Sequence, residues 1–273
     1  MDPKNGTEEI ITSSVSKAWS VSDAAVGGYT YLLEILTGMV GSRTRWRTMP
    51  WLVLLFGLMI APLGITSILF IVIQPIVIGT WSTLALIAAA AVLIQIPYSL
   101  DELIATLQFL RRRVKAGQNW LRVLLVGGTD DLPSAGIASA FKDEFDRPPQ
   151  IILKEMIGGG VSLPWNLAIS ALIGLSLLFT RITLGADGGD ANSHHLIGSL
   201  VLTVVSIAAA EVARPIRYVN VLLGLALVIV PFVYKADIFG TVAVVAAGIT
   251  LIALSFRRGA IRERYGNWSK LLV

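Results

Sequence analysis

Seven apolar blocks run along this chain, at residues 26–40, 50–73, 78–96, 163–179, 196–210, 219–233 and 238–256. A helix rises about 1.5 Å per residue, so roughly 20 apolar residues cross the ~30 Å hydrocarbon layer of a bilayer. The pattern therefore predicts an all-α integral membrane protein with about seven transmembrane helices. The first block is short and contains Glu34. Pro75, in Gln74-Pro75, predicts a break between the second and third, because proline lacks a backbone donor and disfavours helix at the residue before it. Ser99 followed by Glu102 has the spacing of a capping box and predicts a new helix there. Leu100, Leu103, Ile104, Leu107 and Leu110 recur at helical spacing ahead of Arg111, Arg112, Arg113 and Lys115. That pattern predicts an amphipathic helix lying on the inner membrane surface.

The polar stretch 116–160 reads as a cytoplasmic linker with some amphipathic helix. It is too short for a nucleotide-binding domain. Residues 123–128 (VLLVGG) have the look of a strand and phosphate loop but lack the glycine spacing of a dinucleotide fingerprint. Beyond the linker, residues 171–186 align without gaps on 221–236, sharing Leu172/Leu222, Gly174/Gly224, Leu175/Leu225 and Leu177/Leu227. A weaker match pairs LIGSLV at Leu196 with IFGTVA at Ile238. The stretch 161–273 therefore reads as two copies of a helical hairpin, a duplicated supersecondary unit. Small residues at Gly174, Ser176, Gly224 and Ala226 let helix backbones approach closely in lipid.

Composition fits the pattern: 55% hydrophobic and 15% charged residues put the chain outside the soluble class. The net charge of +4 sits in short clusters at block ends rather than on one face, which argues against a nucleic-acid partner. Those clusters are Arg43, Arg45 and Arg47; Arg111 to Lys115; Arg214 and Arg217; and Arg257, Arg258, Arg262 and Arg264. All fall on one side if every block spans, and the positive-inside rule makes that side cytoplasmic, with the C-terminus inside and residues 1–25 outside. Those first 25 residues lack a basic segment followed by an apolar one, which predicts that no signal peptide is cleaved. Zero cysteines exclude disulfides, thiolate metal sites and cysteine nucleophiles in this chain.

Few polar residues interrupt the blocks. Glu34 is a functional candidate because a carboxylate inside a span is costly, the competing reading being a group beside a water-filled groove. Glu211 and Arg214 read as an interfacial ion pair rather than a transport site, and Asn166 and Asn220 as helix-to-helix hydrogen-bonding groups. His194 and His195, with Asp187 and Asp190, read as a solvated loop rather than a metal site. The scarcity of intramembrane charge disfavours a solute transporter.

The segments Trp46-Arg47-Thr48-Met49-Pro50-Trp51, Pro62-Leu63-Gly64, Gln74-Pro75, 79–86 (GTWSTLAL) and Ser99-Leu100-Asp101-Glu102 resemble the bacterial branch of the vitamin K epoxide reductase family. The stretches 13–17 and 23–25 resemble that branch's extracytoplasmic loop. Residues 161–166 (VSLPWN) and 214–217 (RPIR) are similar to the SPW-repeat hairpins fused to it. The resemblance implies a helical bundle of a bacterial inner membrane that takes electrons from a thiol–disulfide partner through a CxxC pair and passes them to a membrane quinone. It places the pair at Ser82 and Ala85, and neither residue can form a disulfide or a thiolate. Ser and Ala are near-isosteres of Cys, so the pair stands either as natural divergence or as replacement. Residues 26–115 correspond to a three-helix remnant, since the family bundle has one further helix before the loop. Trp81, Phe70 and Ile78 could line a quinone groove, or could be packing and an interfacial aromatic anchor. Two functions stay open: a vitamin K epoxide reductase-like protein without the family's redox activity, or a non-enzymatic membrane scaffold or subunit that binds a membrane or periplasmic partner.

Overall fold

The computed structural model describes residues 6–14, 16–17, 23–41, 44–128, 150 and 160–262. Eleven α-helices are named here: α1 Thr7–Thr12, α2 Asp23–Met39, α3 Arg45–Thr48, α4 Pro50–Ile73, α5 Thr83–Lys115, α6 Trp120–Val126, α7 Trp165–Leu178, α8 Thr180–Thr183, α9 Gly188–Ala209, α10 Val219–Tyr234 and α11 Ile238–Ser255. Among the described residues the one β contact is an isolated bridge between Val161 and Ala210. Five segments are long and apolar enough to cross a membrane: Pro50–Ile78, Thr83–Lys115, Gly188–Ala209, Glu211–Tyr234 and Ile238–Ser255. The chain is thus an all-α, multi-pass membrane protein. The helices of the other two apolar blocks are shorter, α2 with 17 residues and α7 with 14. The chain turns at Phe179 (φ −109°, ψ 13°), and the Ser176 and Thr180 hydroxyls bond carbonyls three residues back, which loosens the end of α7.

Two prolines explain how the halves join. In a helix, proline leaves the carbonyl four residues earlier without its usual donor. Pro97 does not end the third block: α5 runs through it for 33 residues, and the Ser206 hydroxyl of α9 donates to the freed Leu93 carbonyl. Pro75 lies in a wide π-type turn, Gln74–Ile78, and His195 Nε2 of α9 donates to the freed Ile71 carbonyl at 2.8 Å. A proline in a membrane helix is tolerated where a neighbour re-satisfies the backbone, and α9 does so twice. The break itself falls at Gly79, whose φ of 82° is left-handed, the conformation glycine adopts most cheaply.

Other expectations are corrected. Ser99 is interior to α5 and its hydroxyl bonds the Gln95 carbonyl, so no capping box forms. Glu102 instead pairs with Arg45 at 2.5 Å, and that bond holds the guanidinium pKa above its ordinary value. The inner part of α5 packs on α3 and α6, burying Phe109 against the Trp46 edge at 5.8 Å. It therefore continues α5 without a break rather than starting a separate helix. Residues 123–126 belong to α6, capped by the Asn119 side chain, so there is no strand or phosphate loop. Most of the rest of the linker lies outside the described residues.

The duplication is visible in the packing, with a corrected register. Gly174 of α7 faces Gly198 of α9, and Gly224 of α10 faces Gly248 of α11. A Cβ on Gly198 would lie 2.6 Å from the Gly174 carbonyl oxygen, and one on Gly248 would lie 2.7 Å from that of Gly224. Both glycines of each pair recur 50 residues on, as do buried Val201 and Leu251. The second match therefore pairs 196–201 with 246–251, eight residues beyond the IFGTVA alignment. Gly240 misled because its Cβ position faces only the capping Asp237.

Candidate functional site

The backbone reverses at Gly79, runs through residues 80–82, and starts α5 with Ser82 as its N-cap. Ser82 is 3% exposed. Its N–H donates to the side-chain oxygen of buried Gln74 at 3.2 Å, and its Oγ accepts from the Ala85 N–H at 3.3 Å. The Thr7 hydroxyl of α1 shares a 3.0 Å hydrogen bond with that Oγ. The N-terminal segment thus closes over the head of α5, a contact that the hydropathy pattern could not show. Ala85 stands half-buried one turn on. Ser82 and Ala85 form a capped helix start, with the serine hydroxyl engaged on both sides.

Beside them, Trp81 meets the His195 ring edge-on at 5.0 Å and stacks on Phe179 at 6.4 Å. Sequence reasoning missed both partners. It read 185–195 as a solvated loop, but α9 begins at Gly188, so His194 and His195 are buried helix residues one to two turns in. His194 Nε2 lies 3.4 Å from Asp190, and among the described residues no group of three or more His, Asp or Glu stands together as a metal cluster. The signal that could have found the helix was the following apolar run, to which the polar DANSHH segment is continuous at helical spacing.

Phe70 and Ile78 are half-buried. One cavity, of about 360 Å³, is lined by Tyr31, Glu34, Ile35, Gly38, Phe56, Ala91, Val92 and Gln95. A second, shallow one of about 390 Å³ follows Thr7, Glu8, Ile11 and Thr12. Neither is lined by Trp81, Phe70 or Ile78, and no electron-transfer step through a quinone follows from the arrangement of those three.

At the opposite, basic end, Glu211 is 1% exposed. It accepts from the Ser162 hydroxyl at 2.7 Å and the Arg262 N–H at 2.9 Å. Arg214 donates to the Ser162 hydroxyl at 2.6 Å, and Arg217 donates to the Ser255 and Arg214 carbonyls. This is a buried network tying both hairpins rather than the simple interfacial pair expected. Asn166 joins it by donating to the Arg257 carbonyl at 2.6 Å, while Asn220 is buried in α10.

These features define a multi-pass helical membrane protein with a capped helix junction at one end and a buried polar lock at the other. Residues 2–100 match the family model of the vitamin K epoxide reductase family, a stretch that contains α1 to α4 and the first half of α5 with Ser82 and Ala85. No curated protein and no solved structure in the comparisons matches the chain.

Proposed function

We propose that the chain is a vitamin K epoxide reductase-like protein of a bacterial inner membrane in which quinone-coupled thiol–disulfide exchange is not carried out by the chain itself. One observation carries the reading: Ser82 and Ala85 occupy the start of α5, where the resemblance places the CxxC pair. In that cycle a thiolate attacks a disulfide, two electrons enter the pair, and a quinone removes them. A hydroxyl and a methyl can accept neither the sulfur bond nor the electrons. The orientation follows from Arg45, Arg47, Arg111 to Lys115, Arg214, Arg217 and Arg257, which place the Ser82 end outward and the C-terminus in the cytosol. The SPW-type hairpins brace the junction through His195 and Phe179. Proteoliposomes containing a membrane quinone and a dithiol test the reading. The unaltered chain is expected to give no quinone reduction above empty liposomes, and Ser82→Cys/Ala85→Cys to gain it. Quinone reduction by the unaltered chain would end the proposal.

A scaffold role is favoured by one feature, the exposed Trp120, Leu121, Leu125 and Val126 on α6 at the basic end. A photocrosslinker at Leu125 is expected to trap a protein partner in native membranes, and lipid adducts alone would sink that role.

A further inference from the structure

The 360 Å³ cavity lies between α2, α4 and α5 on the basic side of the bundle. Gln95 sits 12 residues into α5 from Thr83, about 18 Å along the helix from the Ser82 end, so the cavity is separate from the junction. Its walls are apolar except for Glu34, Gln95 and Tyr31. Tyr31 is engaged with the Ser67 hydroxyl at 3.2 Å on the outer side. On the inner side the Arg45 guanidinium lies over the Phe56 ring at 5.3 Å and donates to the Gly38 carbonyl. Gln95 lines the same cavity as the Glu34 carboxyl. Glu34 is 7% exposed, yet its Oε1 has no hydrogen-bond partner among the described residues. A buried acceptor without a donor is costly, and groups of this kind in native proteins call for an explanation.

We infer that this cavity binds a small lipid-soluble molecule with an apolar body and a single hydroxyl, an alcohol or phenol whose O–H donates to Glu34 Oε1. The oxygen accepts whether the carboxyl is ionised or not. The apolar lining takes the body, and the volume lies within the range of small-molecule sites. An amine would have to carry its charge out of water, which costs far more than a hydroxyl. Access is lateral, since Leu32, Ile35 and Leu36 on the same helix are exposed apolar residues that face lipid. A Cβ at Gly38 would meet nothing within 4 Å, so the glycine leaves the space open.

The test is equilibrium dialysis of radiolabelled 4-heptylphenol against the full chain in phosphatidylcholine nanodiscs, corrected with empty nanodiscs. Saturable binding at one site per chain is expected, with the methyl ether about tenfold weaker, the size of effect that follows from losing a donor to a buried acceptor. Glu34→Leu should weaken the phenol by about the same factor and remove the preference over the ether, while Glu34→Gln, which keeps an acceptor oxygen, should stay within about threefold. Gly38→Leu, one turn from Glu34 on the same face of α2, extends a side chain into the open space beside it and should abolish binding in a folded protein. Equal binding of phenol and ether, phenol binding unchanged in Glu34→Leu, or tighter binding of heptylamine lost in Glu34→Gln would each overturn the inference. None of these readouts involves thiols or quinones, so they stand or fall apart from the redox reading.

Discussion

Between α10 and α11 the backbones touch, with Gly224 and Gly248 each placed where a Cβ would lie 2.7 Å from the other's carbonyl oxygen. Between α2, α4 and α5 the equivalent space is a 360 Å³ cavity with Gly38 on its edge. The same residue type does opposite work in the two regions. In the hairpins glycine permits contact, which in lipid, where apolar burial between helices contributes little, is a main source of association. In the first region it preserves a gap. Two buried carboxylates differ in the same way: Glu211 at the hairpin end accepts from the Ser162 hydroxyl and the Arg262 N–H, whereas Glu34 Oε1 accepts no hydrogen bond among the described residues. Close helix packing marks the hairpin half, and open space the other.

The sharpest way to break this comparison is to attack the lock. Glu211→Ala leaves the Ser162 hydroxyl and the Arg262 N–H without their carboxylate acceptor, and the loss of two hydrogen bonds to a charged group should cost about 3 kcal/mol. Equilibrium unfolding in detergent would show it, with Glu211→Gln losing less because a carbonyl oxygen remains. A loss below about 1 kcal/mol would mean that water already serves the cluster. Next in size is Gly248→Ala, where the new methyl meets backbone that cannot rotate away. It should cost about 1–3 kcal/mol in the same assay, and Gly198→Ala, at 2.6 Å, should match it if the hairpins are structural copies.

His195→Leu tests the seam between the regions. It removes the donor to the carbonyl freed by Pro75 and the ring edge on Trp81, at a cost of about 1–3 kcal/mol. The chain has no cysteine, so a single Ser82→Cys provides a unique label at the junction. Maleimide should modify it slowly in the otherwise unaltered chain and several-fold faster with His195→Leu, in line with the population of a locally opened junction. Equal rates would show that α9 does not hold Trp81 in place.

This seam also marks what could be read from the sequence. The membrane class was legible because apolar transfer is summed over 20 residues and no single residue can disguise it. The first hairpin match was legible because Gly174 and Gly224 make the same contact. The continuity of α5 was hidden, since Pro97 and Ser99 obey local rules for a break, and the group that overrides them, Ser206, lies more than a hundred residues away. The same holds at the junction: the motif drew attention to Ser82 and Ala85, but the Thr7 cover and the His195 and Phe179 walls are long-range contacts with no local pattern. Glu34 was picked out by its cost in lipid, while the cavity beside it depends on three helices at once.

The smallest expected effect is the most discriminating. Gly38→Ala adds a methyl toward open space in the last turn of α2, where alanine is favoured over glycine by at most the roughly 0.5–1 kcal/mol of a helix interior. Stability should therefore stay level or rise slightly, opposite in sign to Gly248→Ala. If both glycines were mere helix-packing positions, the two substitutions would destabilise alike. If Gly38 instead keeps a site open, unfolding would show no loss while the affinity for a hydroxyl-bearing apolar probe falls. A glycine that costs the helix stability and whose Cβ position meets no neighbour is explained by the space it preserves.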